Sequence, residues 1–251
     1  MARFPELSGK RVMVTGSASG IGFSTAMRFA SEGAFVFLVD RDAEALERAA
    51  KQHGNFRGSF VADVSSETDV VASFAKMDDI LGGIDVLVSN AGISVRSACT
   101  DISYEQWNRV MGINLGGMFL CAREAARRMS SQKSGVILMT ASTNGTEGHR
   151  WYADYNASKA GVVLLTKTLA LELAPHVRVN CVCPGYVLTP MQKAEYTPEM
   201  LERVNEGIPM KRHADPEEVA ALYAFLASDD ARYFTGADLR LDGGETAGLY
   251  P

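Results

Sequence analysis

The chain is predicted to fold as a single α/β domain on a doubly wound parallel sheet. Short apolar runs alternate with longer amphipathic segments from one end to the other. The runs are near-continuous in hydrophobic character, as expected of strands covered by helices on both faces. Strand–helix repetition also implies parallel pairing through right-handed crossovers. No Pro/Ser-rich linker or internal repeat divides the 251 residues, so one domain spans 1–251.

The elements follow in order. Residues 10–15 (Lys-Arg-Val-Met-Val-Thr) form the first strand and 20–33 a helix; 34–40 form the second strand and 42–53 its helix. A third strand over 56–62 leads to a helix over 66–81. The fourth strand covers 84–89 and precedes one long helix over 103–130. A fifth strand over 136–141, a helix over 152–173 and a sixth strand over 177–182 come next. A helix over 216–227 and a strand over 238–241 close the pattern. The least regular stretch is 188–209, with Pro190, Pro198 and Pro209. A loop of this length in a compact domain is usually functional or mobile, so it is predicted to be a substrate lid with a short helix over 198–205.

Bulk properties exclude several functions. Hydrophobic content of 47% with 22% charged residues is that of a globular protein with a substantial core. A net charge of −5 without a Lys/Arg cluster gives no footprint for nucleic acid or a membrane surface. No apolar run suffices to cross a bilayer, and the N-terminus lacks a signal peptide's apolar stretch, so a cytoplasmic location is expected. Cys99, Cys121, Cys181 and Cys183 are expected to be reduced thiols. Cys181 and Cys183 are expected on opposite faces of a strand, and no metal site is expected.

The run Thr15-Gly-Ser-Ala-Ser-Gly-Ile-Gly22 joins the first strand to the first helix. Gly16, Gly20 and Gly22 allow a tight turn and a close approach of backbone to a pyrophosphate. Ser19 and Ile21 sit between them, and the helix N-terminus offers unpaired N–H groups with the positive dipole end. The spacing G-x-x-x-G-x-G departs from the commoner G-x-G-x-x-G, but its place between a strand and a helix points to a dinucleotide. Asp40 ends the second strand, where a carboxylate accepts from adenosine ribose hydroxyls and repels a 2′-phosphate. Arg41 could pair with such a phosphate, whereas Ser19 stands where an arginine would have strengthened that case. The pattern favours NAD over NADP. Asp63 and Val64 follow the third strand and Asn90-Ala91-Gly92 the fourth, at the sheet edge where ligands collect. Asp63 could accept from the adenine amino group, and Asn90 with its small neighbours would leave room for ribose.

Tyr155 and Lys159 stand one helical turn apart, which puts an ammonium beside a phenol on one face. A free tyrosine ionises near pH ~10, and a nearby fixed cation favours the phenolate. Bringing that ionisation to neutrality needs about 4 kcal/mol, which a cation in a poorly solvated cleft can supply.

Taken with Asn114, Ser142 and Pro184-Gly185 ahead of Thr189, these residues identify the chain as resembling the short-chain dehydrogenase/reductase family in its compact form. The resemblance covers essentially the whole chain; Ser89 departs from it, since many relatives carry a second asparagine there. It implies a Rossmann-type sheet of order 3-2-1-4-5-6-7 and a homotetramer or homodimer in which the helices near 103–130 and 152–173 pack across a twofold axis. It implies Tyr155 as general acid/base and Lys159 as the residue that lowers its pKa and binds the nicotinamide ribose. Ser142 would polarise the substrate oxygen, and Asn114 would hold a water of the proton relay through a local backbone distortion. Pro184, Gly185 and the Val187 backbone would flank the nicotinamide carboxamide, with the Thr189 hydroxyl on the pyrophosphate.

Ser94, Val95 and Arg96 after the fourth strand, 143–148 after the fifth, Tyr152, Tyr186 and the lid are expected around a small-molecule substrate. Asn144, Thr146, Glu147, His149 and Arg150 make the second loop polar, which suggests a polyol, sugar, cyclitol or hydroxy acid. His149 is the histidine placed to touch it; His213 is read as structural. Three functions fit: an NAD-dependent alcohol dehydrogenase, an NADPH-dependent reductase of 3-oxoacyl thioesters, and a nucleotide-binding regulator without turnover. Asp40 and Ser19 speak against the second, and the intact Asn114, Ser142, Tyr155 and Lys159 against the third.

Overall fold

Side-chain alternation along the inner strands divides the apolar residues between two cores. In the computed structural model, which describes residues 3–248, the strands are β1 (Arg11–Thr15), β2 (Phe35–Asp40), β3 (Phe56–Val61), β4 (Val86–Ser89), β5 (Gly135–Thr140), β6 (Val177–Pro184) and β7 (Asp238–Leu241). The chain ends of the domain span 1–251 lie outside the described residues. The strands pair in parallel in the order 3-2-1-4-5-6-7. The connecting helices are α1 (Gly20–Ser31), α2 (Ala43–Ala50), α3 (Glu67–Leu81), α4 (Tyr104–Met111), α5 (Gly117–Gln132), α6 (Ala153–Leu173), α7 (Pro190–Glu195), α8 (Pro198–Gly207) and α9 (Pro216–Ala227).

Met13, Phe37, Val39, Leu87 and Ile137 face one way and pack with Phe74 of α3, Met118 of α5 and Val162 of α6. Their neighbours Val12, Val14, Val36, Leu38 and Val88 face the other way and pack with Phe29 of α1, Leu46 of α2 and Val219 of α9. This is the period-two signature of a sheet covered on both sides. Side-chain caps set several helix starts: Asp42, Ser66 and Ser103 each accept from a first-turn N–H, and Asp215 with Glu218 forms a capping box ahead of Pro216. Among the described residues, no helix is long and apolar enough to cross a membrane.

Four expectations need correction. β3 is not a continuously buried strand: its residues alternate between half-buried and exposed, and Val61 is 50% exposed. It is the edge strand of the sheet, and its alternate residues Arg57, Ser59 and Val61 are exposed. The long helix over 103–130 is broken by a π-turn at Gly112–Gly116, where the Gly117 N–H donates to the Gly112 carbonyl. The lid holds two helices rather than one, since α7 precedes α8. Cys181 and Cys183 do not point to opposite faces. Residues two apart on a strand share a face; both side chains lie in the same core, beneath α6.

Candidate active site

The loop after β1 is built by backbone-on-backbone packing. Gly16 has φ of +63°, and a Cβ there would stand 2.8 Å from the Ala91 Cα. A Cβ on Gly22 would run into the Gly16 carbonyl oxygen and lie 2.7 Å from Asn90 Nδ2. The start of α1 is thereby pressed against the ends of β1 and β4. Ser19 occupies the N-cap of α1 without a side-chain cap bond, so the first N–H groups of the helix face the cleft unblocked by it. This cradle fits a pyrophosphate.

Asp40 is fixed from both sides. One carboxylate oxygen accepts from the Ala18 N–H at 2.9 Å and the other from the Asp42 N–H at 3.1 Å. Each oxygen keeps acceptor capacity toward the cleft. Ser65 donates its hydroxyl to Asp63 at 2.6 Å. That bond, with the Ser65 N–H and the charge of Arg41, holds the Asp63 carboxyl below its ordinary range against partial burial.

Asn90, expected to leave room for the ribose, is engaged by the protein. Its Nδ2 donates to the Thr15 and Gly16 carbonyls at 3.2 and 3.3 Å, and its Oδ1 accepts from the Thr140 hydroxyl at 3.0 Å. The side chain braces β1, β4 and β5; only its place on the cleft wall agrees with the expectation. Asn114, fully buried in the π-turn, is likewise engaged by the protein. Its Oδ1 accepts from the Ile93 N–H at 2.8 Å, while its Nδ2 donates to the Ile93 carbonyl at 2.9 Å and to Ser158 Oγ at 3.1 Å.

Tyr155 and Lys159 share a face of α6 as their spacing predicts. Lys159 is 3% exposed; its Nζ donates to the Thr140 carbonyl at 2.8 Å and lies 5.6 Å from the centre of the Tyr155 ring. Burial pushes this ammonium down to about 8. Burial also pushes the Tyr155 phenol up to about 12, with a hydrogen bond from Ser142 opposing the rise and the charge of Glu195 adding to it. The expected lowering of the phenol by Lys159 is therefore absent from the protein alone. Loss of solvation dominates both groups, and the ammonium directs its hydrogen bond to a main-chain carbonyl rather than to the phenol.

Two connected chambers meet at Tyr155. The larger, about 260 Å³, is lined by Gly16, Ser19, Gly20, Ile21, Asp40, Arg41, Asp63, Val64, Asn90, Ala91, Gly92, Tyr155, Lys159 and Thr189 of the expected cofactor set. Gly22, Pro184 and Val187 are not among its lining residues, and the Val187 carbonyl accepts from the Thr189 N–H at 2.8 Å. Thr189 caps α7 through its hydroxyl, which accepts from the Gln192 N–H at 3.2 Å and retains its own hydrogen. The smaller chamber, about 80 Å³, is lined by Ser94, Ser142, Asn144, His149, Tyr152, Tyr186 and Gly185. Burial lowers the His149 pKa, which keeps the ring neutral near pH 7. Val95 and Arg96 do not line it; the Arg96 guanidinium stacks on Trp151 at 3.9 Å. His213 pairs with Asn205 at 2.7 Å, outside either chamber.

Sequence reasoning missed Ala62, Ile93, Ile113 and Thr140 in the larger chamber; in the smaller, Met191, Gln192, Glu195 and Tyr196 fall in the predicted lid but were not singled out within it. The last four lie on or just after α7, whose start is marked by Thr189-Pro190, a cap followed by proline at the first helical position.

The family model described as enoyl-(acyl carrier protein) reductase matches residues 16–246. The chain is 40% identical to the meso-2,3-butanediol dehydrogenase of Serratia marcescens, over 95% of each chain. It is 42% identical to the 3beta-hydroxysteroid dehydrogenase 1 of Eggerthella lenta, over 99% of this chain and 97% of that one. Its fold superposes with a TM-score of 0.91 on the crystal structure of a 3-ketoacyl-(acyl-carrier-protein) reductase from Brucella melitensis complexed with NADH, at 35% identity over 96% and 99% of the two chains. The chain belongs to the short-chain dehydrogenase/reductase family. It is an NAD(P)-dependent oxidoreductase acting on CH–OH groups.

The packing under the glycine loop makes a direct prediction. Gly22→Ala forces a methyl group into the Gly16 carbonyl, so urea unfolding should show a loss of about 1–3 kcal/mol, with weakened cofactor binding. An unchanged midpoint would contradict the close packing described.

Proposed function

We propose that this protein is an NAD-dependent dehydrogenase of small, polar secondary alcohols, with Tyr155 exchanging the proton. One observation carries the reading: Tyr155 lines both chambers at once, so a single phenol faces the expected cofactor and the expected substrate. Ser19, Gly20 and Ile21 at the α1 N-terminus would hold the pyrophosphate with Thr189, Asp40 the adenosine ribose, and Asp63 and Val64 the adenine end. Ala91, Gly92 and Lys159 would take the nicotinamide ribose, with Pro184, Gly185 and the Val187 backbone beside the carboxamide. When bound, the nicotinamide supplies the hydride acceptor. The protein supplies alignment and proton traffic.

In this scheme Ser142 donates to the substrate oxygen and Tyr155 receives the hydroxyl proton. Lys159, titrating near 8, remains largely cationic at neutrality and stands beside the phenol. Its charge favours the phenolate less than burial favours the neutral form, so the free protein holds Tyr155 protonated. Asn114, with its amide committed to Ile93 and Ser158, positions the wall of the relay rather than joining it through the side chain.

Asp40 supports NAD over NADP, because its fixed carboxylate would oppose a 2′-phosphate. The relatives named above differ in substrate, so the chemistry of the cleft decides. At about 10–15 Å³ of such space per water-sized atom, the smaller chamber holds roughly six heavy atoms, which favours a small alcohol over a steroid. Its polar lining favours a hydroxylated substrate. The rival reading, an NADPH-dependent 3-oxoacyl thioester reductase, has support for its substrate class from the ketoacyl reductase among the structural relatives, whose structure holds NADH, and meets Asp40 as its obstacle. We read the location as cytoplasmic and the assembly as a homotetramer, which light scattering tests; Phe119, Leu164 and Leu171, exposed on α5 and α6, support self-association.

Tyr155→Phe should lower kcat by about 10²–10⁴-fold while leaving NADH affinity nearly unchanged. Oxidation by the wild type should accelerate with rising pH from 7 to 10, since the proton acceptor is pushed upward, and ketone reduction should slow. A variant that keeps most of its activity would show that the wrong base is assigned. Fluorescence titration should find NADH bound more tightly than NADPH, with the gap narrowed in Asp40→Ala. Tighter NADPH binding would overturn the part given to Asp40.

A further inference from the structure

The smaller chamber has two walls with different chemistry. One carries Ser142 and Tyr155. The other is the lid helix α7, which contributes Gln192 and Glu195. Residues three apart on a helix lie side by side. One oxygen of Glu195 is engaged by other lining residues: its Oε2 accepts from the Tyr152 hydroxyl at 3.1 Å, and that hydroxyl meets the Tyr196 hydroxyl at 3.2 Å. Its other oxygen, Oε1, is buried and has no hydrogen-bond partner. The Gln192 side-chain nitrogen, Nε2, is also buried without one. Buried polar atoms are almost always paired, so a matched acceptor and donor left open on one wall of a pocket call for a ligand group.

We propose that α7 reads a second hydroxyl of the substrate, which donates to Glu195 Oε1 and accepts from Gln192 Nε2. The substrate class is then a neutral diol or polyol, with the reacting carbinol at Ser142 and Tyr155. A hydroxyl is the one simple group that both donates and accepts at a single atom. A carboxylate would meet the negative charge of Glu195, an ammonium would leave the Gln192 donor unmatched, and a carbonyl would leave Glu195 unmatched. Glu195 also raises the Tyr155 phenol, an effect that hinders proton removal and gives the carboxylate no use in that step. This inference rests on the dehydrogenase reading and narrows it, because it removes hydroxy acids from the candidate substrates.

The test is kcat/KM with NAD for matched pairs, 2,3-butanediol against secondary butanol and vicinal cyclohexanediol against cyclohexanol, together with hydroxybutyrate. The wild type should prefer each diol by about 10- to 100-fold, the worth of a hydrogen bond to a charged group. Glu195→Leu should cut the diol-to-monoalcohol ratio at least about 10-fold, and Gln192→Leu, which loses a neutral hydrogen bond, about 3- to 10-fold. Glu195→Gln should raise hydroxybutyrate turnover relative to diol, a gain that a misfolded variant cannot imitate. Ratios that stay within about threefold of the wild type in all three variants would overturn the assignment of α7 while leaving the dehydrogenase reading intact. Wild-type protein that turns over none of these alcohols, and none of the matching ketones, would overturn both.

Discussion

Thr140, the last residue of β5, uses its two polar groups to hold the candidate site together. Its carbonyl accepts from Lys159 Nζ, and its hydroxyl donates to Asn90 Oδ1. The Tyr223 hydroxyl of α9, 2.7 Å away, is left to donate to Thr140 Oγ1. Asn90 in turn donates to the carbonyls of Thr15 and Gly16. One chain of buried hydrogen bonds therefore links β1, β4, β5, α6 and α9 beneath the cleft. Each group in it is satisfied by another, and removing one would leave a buried partner unpaired. The glycine loop and the Tyr155–Lys159 pair are two ends of the same network.

That arrangement explains why Lys159 can be buried at all. An ammonium taken out of water needs compensation, and a main-chain carbonyl supplies it without supplying a counter-charge. The result is a cation with a depressed pKa beside a phenol with a raised one. Burial opposes ionisation of both groups; near pH 7 the ammonium is still largely charged and the phenol protonated.

Much of this was legible in the order of residues. The inner strands announce themselves as apolar runs, and their alternating neighbours Val12, Met13 and Val14 fall into opposite cores as parallel pairing requires. Gly16, Asp40, Tyr155 and Lys159 could be placed because each owes its role to local geometry at a strand end or helix face. Partners from distant segments were not legible. Asn90 is a brace because Thr15 and Thr140 converge on it, and nothing near it in the chain marks that. The π-turn around Asn114, over Gly112–Gly116, was not marked by the helical pattern of 103–130; the family resemblance alone implied a local distortion there. α7 is too short for periodicity to show, although Thr189-Pro190 signals its start. The phenol was expected to be lowered because charge was weighed and desolvation was not, and the two work in opposite directions.

The buried ammonium is the most exposed point of this account to measurement. Carbon NMR of lysine labelled at the ε position, with the Lys159 signal assigned by its loss in Lys159→Arg, gives the ionisation of that one group in the cofactor-free protein. The account predicts a midpoint of about 8. A Lys159 that titrates near ~10.4, the value of a free lysine, would place it in water, away from Thr140, and would contradict the site described.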